Sequence, residues 1–283
     1  MAISGVLGSS ALLPAGLGFR NVLINGEFRI NQRAYASASN LASGSYGFDR
    51  WKSSFTNTTL TFTSASQGQI VTINSGGSIE QVVERENITA GTYILSWTGT
   101  ATGRVYNTGA TPPSYAASPI VVTLDGLANV EVEFTASGGT QTLWKPQLEQ
   151  NRQPTPFEQR PIGVELALCQ RYYQRRTGTG SAAYTSLGGF GHFGSTTAAD
   201  FDFVLPVVMR VVPHTLDYHS VSGFIGSTSN VSYTSTSLGI QTVTASAQVF
   251  AVTLSGMSGT AGISVRLLVN NSTSGYLGWS AEL

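Results

Sequence analysis

Glu131 and Glu133 stand two apart in the run VEVEF, so on a strand both carboxylates leave the same sheet face. Paired carboxylates are the machinery of glycoside hydrolysis. Val130, Val132 and Phe134 alternate with them and take the inner face, which assigns the pair to a solvated outer face. Glu80, Glu84 and Glu86 have the same even spacing and the same reading. His214, Asp217 and His219 form a second cluster. Two histidines and a carboxylate can bind zinc or iron, but at this spacing the histidines of a strand point to opposite faces, and a polar turn is expected. The run from Gly189 to Gly194, GFGHFG, matches G-x-G-x-x-G in form. The dinucleotide motif needs a strand before it and a helix after it. Here the polar Ser195–Asp200 leads into a strand instead, so the motif is set aside. No P-loop and no G-x-S-x-G is present.

Composition narrows the choice further. The formal net charge is zero, which argues against sequence-independent nucleic-acid binding. Charged residues are only 11% of the chain, while hydrophobic residues are 41% and aromatics 10%, enough for a core. A surface so poor in charge points to burial in an assembly. Cys169 is the only cysteine, so there is neither an intrachain disulfide nor a thiolate zinc site. Residues 1–20 are apolar and glycine-rich, with no basic segment ahead of them and Pro14 inside the run. That argues against a secretory signal and against membrane insertion. A docking arm that orders on a partner is the expectation.

The elements that must position these residues are nearly all strands. Asn21–Gln32 reads as a strand broken at Asn25-Gly26, and Phe48–Trp51 as the opening of another. Thr59–Thr63, Ile70–Ile73, Ile79–Glu84, Thr92–Thr98, Pro119–Leu124, Asn129–Phe134 and Leu143–Leu148 follow, with turn residues between them. Past Gly178, Phe201–Leu205, Val207–Val212, Val221–Ile225, Val231–Tyr233, Gly239–Val243, Gln248–Leu254, Ile263–Val269 and Tyr276–Ala281 have strand character. The spacing predicts an all-β protein: an N-terminal jelly roll or β-sandwich over 21–160, a connecting helix, and a C-terminal β-sandwich over 178–283. The helix is predicted over 161–177, from PIGVELALCQRYYQRR. Pro161 suits its start and Glu165 its first turn. Leu166, Cys169 and Tyr173 then share one face, expected at a three-fold axis or at the seam between domains. Trp51 and Trp97 belong to the core. Tyr106 and Tyr115, in or beside the loop 107–118, are candidates to stack on sugar rings, as are Tyr184, Tyr218, Tyr233 and Tyr276 in the second domain.

Several stretches together resemble a known family. LPAGLGFRNVLINGEFRINQR near the start, FDRW at 48–51, QLEQ at 147–150, TPFEQRP at 155–161 and ELALCQRYYQ at 165–174 are similar to tail-fibre-like proteins of tailed bacteriophages, above all those of cyanophages. The closing GWSAEL also looks like the end of that family's C-terminal domain. The likeness covers nearly the whole chain, and its most specific part is 147–174. It implies a jelly roll similar to carbohydrate-binding modules and a non-enzymatic virion protein, often a homotrimer. Such a protein is mounted on other virion proteins through its N-terminus, here residues 1–20. It contacts host surface polysaccharide or lipopolysaccharide with its distal part. It also makes Asn25 and Glu27 candidate calcium ligands, although the dense acidic loop of a strong calcium site is missing. The rival expectations are a purely structural virion protein, such as a head decoration, and a polysaccharide depolymerase.

Overall fold

The computed structural model describes residues 19–178, 184–213, 215–228, 231–241, 246 and 248–283. The apolar arm up to residue 18 and His214 lie outside them. The chain is all-β and falls into two compact units, one ending at Glu165 and the other beginning at Leu166.

The first unit is a sandwich of two antiparallel sheets. Its strands are β1 (Asn40–Leu41), β2 (Lys52–Ser53), β3 (Thr58–Ser64), β4 (Gln69–Ile73), β5 (Ser78–Val83), β6 (Gly91–Gly99), β7 (Thr102–Asn107), β8 (Ile120–Leu124), β9 (Val130–Thr135) and β10 (Gln141–Glu149). One sheet has the order β1-β3-β4-β10-β6-β8 and the other β2-β5-β9-β7. The chain crosses repeatedly between them, in jelly-roll manner. Period-two alternation gives each sheet its inner face. Tyr93, Leu95 and Trp97 of β6 meet Val130, Val132 and Phe134 of β9, with Trp51 among them, and all are buried. Full burial of one such side chain stabilises the fold by about 1.5–3 kcal/mol.

The segment 21–32 is not a strand. Its backbone is satisfied largely by side chains, with single backbone bonds such as Val22 N to Leu148 O in place of a ladder. The Gln81 carboxamide takes the place of a neighbouring strand, accepting from Ile24 N at 2.7 Å and donating to Ile24 O at 2.8 Å. The Asn25 side chain accepts from Ile30 N and donates to the Ile30 and Asp49 carbonyls. Asn25 and Phe28 both have positive φ, which a continuous strand excludes. Residues 48–50 likewise form a turn, with Arg50 at φ 71°, and β2 starts only after Trp51.

The helix α1 is Ile162–Gln170, shorter than the 161–177 expected. The chain turns at Arg171–Tyr172, and Tyr173–Thr177 becomes strand β11. All five residues of β11 pair with β20 (Tyr276–Ser280), and that tertiary pairing overrides the helical pattern. Leu166, Cys169 and Tyr173 therefore do not form a single helical stripe. Cys169 and Tyr173 are each 1% exposed, buried by their own chain, and cannot serve as surface contacts between copies. Leu166 is half-buried.

The second unit also contains β12 (Ser186–Phe193), β13 (Ala198–Val204), β14 (Thr215–Tyr218), β15 (Phe224–Ser227), β16 (Ser232–Thr234), β17 (Ser237–Gln241), β18 (Val249–Ser255) and β19 (Ser264–Val269). A seven-stranded sheet has the order β16-β15-β19-β12-β13-β18-β17, and a three-stranded sheet the order β11-β20-β14. Phe193, Phe201, Phe203, Phe224 and Trp279 lie in their common core. The stretch 207–212 is irregular rather than a strand. It lies between Pro206 and Pro213 and is fixed by Arg210 N donating to Arg171 O and Gln174 Nε2 donating to Val207 O.

Candidate functional site

The outer face of the sheet β2-β5-β9-β7 carries one row of charged residues of the first unit. Register places Lys52 beside Glu80, Glu80 beside Glu133, and Glu133 beside Arg104. The row thus runs cation, carboxylate, carboxylate, cation across four strands. Lys52 Nζ lies 3.2 Å from Glu80 Oε1. Arg104 Nε donates to Glu133 Oε2 at 2.7 Å, and Ser54 Oγ donates to Glu133 Oε1 at 2.5 Å. One step along the face, Tyr106 pairs with Glu131.

The loop after β7 folds back over this row. Gly103 and Ala116 exchange both backbone hydrogen bonds at 2.9 Å, and the Pro113 carbonyl accepts from Arg104 Nη1. This brings the Tyr115 ring to 4.2 Å from the Arg104 guanidinium, while the Tyr106 ring lies at 5.3 Å. The two first-unit tyrosines expected as sugar contacts both lie against the Arg104 guanidinium. Burial, and then the Glu131 and Glu133 carboxylates, push the pKa of Tyr106 and Tyr115 up respectively. The Tyr115 hydroxyl is buried beside Glu133 without a hydrogen bond of normal geometry. Burial also raises the pKa of Glu80; Lys52 opposes the shift and Glu133 and Glu131 add to it.

Glu131 and Glu133 do share the outer face; Glu131 is half-buried there, but Glu133 is not solvated. Glu133 is 1% exposed. The returning loop covers it, a tertiary event that period-two alternation does not encode. The Glu133 carboxylate is fixed by an arginine and a serine and closed from water. Sequence reasoning named Glu80 only with Glu84 and Glu86, and it missed Arg104 and Lys52 as members of the row. The signal available was their alternation with core positions along the chain: Arg104 stands next to Val105, Lys52 next to Trp51 and Glu80 next to Ile79.

The other candidates are scattered. Tyr184 is 53% exposed. Tyr218 and Tyr233 pack against the second core, Tyr233 at 4.9 Å from Phe193. Tyr276 carries the Arg175 guanidinium 3.4 Å from its ring centre. Burial, with the nearby Asp217, raises its pKa. Asp217 accepts from the Tyr173 hydroxyl at 2.6 Å, and His219 lies 6.2 Å from the Tyr276 ring. The GFGHFG run lies on the antiparallel β12, with no helix after it.

Asn25 belongs to a buried polar network. Asn25 N and Arg160 Nη1 both donate to the Glu165 carboxylate. Arg160 also donates to the Asn21 and Leu23 carbonyls. Asn21 N donates to Glu158, and the Asn21 side chain accepts from Leu23 N and Leu148 N. Glu149 accepts from Gln147, Thr155 N and Thr155 Oγ1. The cavity at the centre is about 10 Å³, room for no more than a water. Glu27 lies 3.5 Å from Arg29, and burial raises its pKa. Among the described residues no group of three or more His, Cys, Asp or Glu could hold a metal ion. The Asn25 carboxamide oxygen, expected as a calcium ligand, accepts from Ile30 N. No described helix is long and apolar enough to cross a membrane.

No family model matches the sequence, and no curated protein does. Among solved structures, a Paenibacillus sp. cycloisomaltooligosaccharide glucanotransferase complexed with cycloisomaltoheptaose is similar at 9% identity with a TM-score of 0.24. The match covers 85% of this chain and 47% of that one, so the chain spans about half the length of that enzyme. At this TM-score the likeness carries no argument about fold or activity.

Proposed function

We propose that this chain is a non-enzymatic virion protein of a tailed bacteriophage. On this reading it is a tail fibre or fibre-like adhesin on the outside of the particle that attaches to host surface glycans. One observation carries the reading. The stretches that resemble phage tail-fibre-like proteins converge in the buried network of the first unit. Asn21, Leu23 and Asn25 come from the first stretch, Gln147 and Glu149 from QLEQ, Thr155, Glu158 and Arg160 from TPFEQRP, and Glu165 from the helix. The likeness therefore lies in residues that hold the domain together, which supports a shared architecture rather than a chance match of loops. Attachment by many weak sites on a trimer and on many trimers would give firm binding. The jelly roll and the tyrosine-flanked row at Arg104 are where the first unit would meet a sugar.

The test is adhesion of the purified full chain to host cells, with competition against phage adsorption. Saturable binding that lowers adsorption supports the adhesin. Absence of binding from a chain that electron microscopy with a labelled antibody finds on the particle favours the decoration alternative. Release of sugar from host envelope would replace both with a depolymerase.

A further inference from the structure

We propose that the outer face of the seven-stranded sheet is a saccharide site for acidic sugars, centred on Phe190. The inference rests on the adhesin reading and adds to it a second surface and a ligand chemistry. Phe190 is 67% exposed, the most exposed aromatic among the described residues. Register sets Arg266 of β19 on one side of it and Asp202 of β13 on the other, with Ser227 of β15 beyond Arg266. At about 4.8 Å per strand, Arg266 and Asp202 stand on the order of 10 Å apart with the ring between them. The adjacent row holds Ser264, His192 and Asp200. Gly188 puts no side chain beside the ring toward the start of β12. An open groove of about 470 Å³ runs from Phe190 past Ser264 and Arg266 to Ser227 and Thr228.

The charges make this face unlike the rest of the unit. From 178 to the C-terminus the only cationic side chains of lysine or arginine type are Arg210 and Arg266. Arg210 is occupied by the Ala281 and Glu282 carbonyls. Among the described residues, Arg266 and Asp202 make no ion pair and no side-chain hydrogen bond, and both are exposed. An exposed ring suits the apolar face of a pyranose. Arg266 offers a planar fork for a carboxylate, and Asp202 and His192 can bind hydroxyls. A single unpaired cation beside a ring fits one acid group per sugar, as in a uronic acid.

The experiment is calorimetric titration of the full-length protein with trigalacturonate and with neutral maltotriose. Trigalacturonate is expected to bind on the order of 10-fold tighter. Phe190→Ala should weaken both ligands about 5–10-fold, and Arg266→Gln should abolish the preference for the acid. Both positions are exposed, so the thermal midpoint should not move. Leu127→Ala, an exposed position on the first unit outside both sites, should leave binding unchanged. No binding of trigalacturonate at millimolar concentration, or equal affinity for the two sugars, would overturn the proposal. Loss of binding in Tyr115→Ala with none in Phe190→Ala would also overturn it, while leaving the adhesin reading intact. A chain that binds trigalacturonate through Phe190 and Arg266 but does not adhere to host cells would sink the adhesin reading and leave this site standing.

Discussion

Arg104 Nε donates to Glu133 Oε2 across 2.7 Å, and the carboxylate it serves is 1% exposed. Removing the arginine leaves a buried charge held by the Ser54 hydroxyl. Arg104→Ala is expected to destabilise the first unit by about 3 kcal/mol, and the Arg104→Met, Glu133→Gln double variant by clearly less. Denaturant titration of the two variants measures the difference. Equal losses would show that the ion pair is not what fixes the returning loop.

Arg160 ties three separate backbone and carboxylate acceptors together. Arg160→Ala is expected to cost about 3–5 kcal/mol, because the Glu165 carboxylate and the Asn21 and Leu23 carbonyls lose their donor at once. Hydrogen exchange should rise across 21–25. An unchanged exchange pattern would contradict the clamp.

Gly278 leaves room for the Tyr173 hydroxyl. A Cβ there would lie 2.7 Å from Tyr173 Oη, which bonds Asp217. Gly278→Ala is expected to cost about 1–3 kcal/mol in the second unit by overpacking. If the variant melts like the parent, Tyr173 is not held where it is described.

Glu27 and Glu80 hold protons more tightly in the fold than in the unfolded chain, because burial raises both pKa values above the ordinary 4.5. Between 4.5 and the raised values the folded state binds more protons, so stability falls as pH rises through that window. Glu27→Gln should flatten the fall in thermal midpoint between pH 4 and 7. A steeper fall in the variant would reverse the sign.

Homotrimer formation is expected at micromolar concentration, with a particle of three 29.8 kDa chains in sedimentation. Leu166 is the member of the predicted helical stripe that its own chain leaves half-exposed. Leu166→Glu should dissociate the trimer while circular dichroism stays unchanged. A wild-type sedimentation mass of one chain ends the trimer proposal.

Period-two alternation made much of the fold legible in the sequence. Tyr93, Leu95, Trp97, Val130, Val132 and Phe134 face inward as their spacing predicts. What alternation does not carry is long-range pairing. Tyr173–Thr177 reads as helix until β20 is set beside it. Residues 21–32 read as a strand because their hydrogen-bond partners are side chains up to 140 positions away. The candidate site was legible in its parts. Tyr106, Tyr115, Glu131 and Glu133 stood out by type, but the arginine that joins them is visible only when β7 lies against β9. Phe190 was hidden inside a glycine-rich run whose other reading had to be discarded first.

The Asn25 carboxamide has a consequence for the protein's shelf life. Asparagine followed by glycine is the sequence most prone to lose ammonia, through attack of the glycine nitrogen on the side-chain carbonyl. In the folded chain that carboxamide is wholly buried and pinned by three hydrogen bonds, so the ring closure is blocked. In an unfolded chain nothing blocks it, and the aspartate or isoaspartate formed cannot donate to the Ile30 and Asp49 carbonyls. Time spent unfolded is thereby recorded chemically at one position. A denatured stock should lose its capacity to refold in step with a one-dalton mass gain in the peptide bearing Asn25, while a folded stock of the same age keeps both.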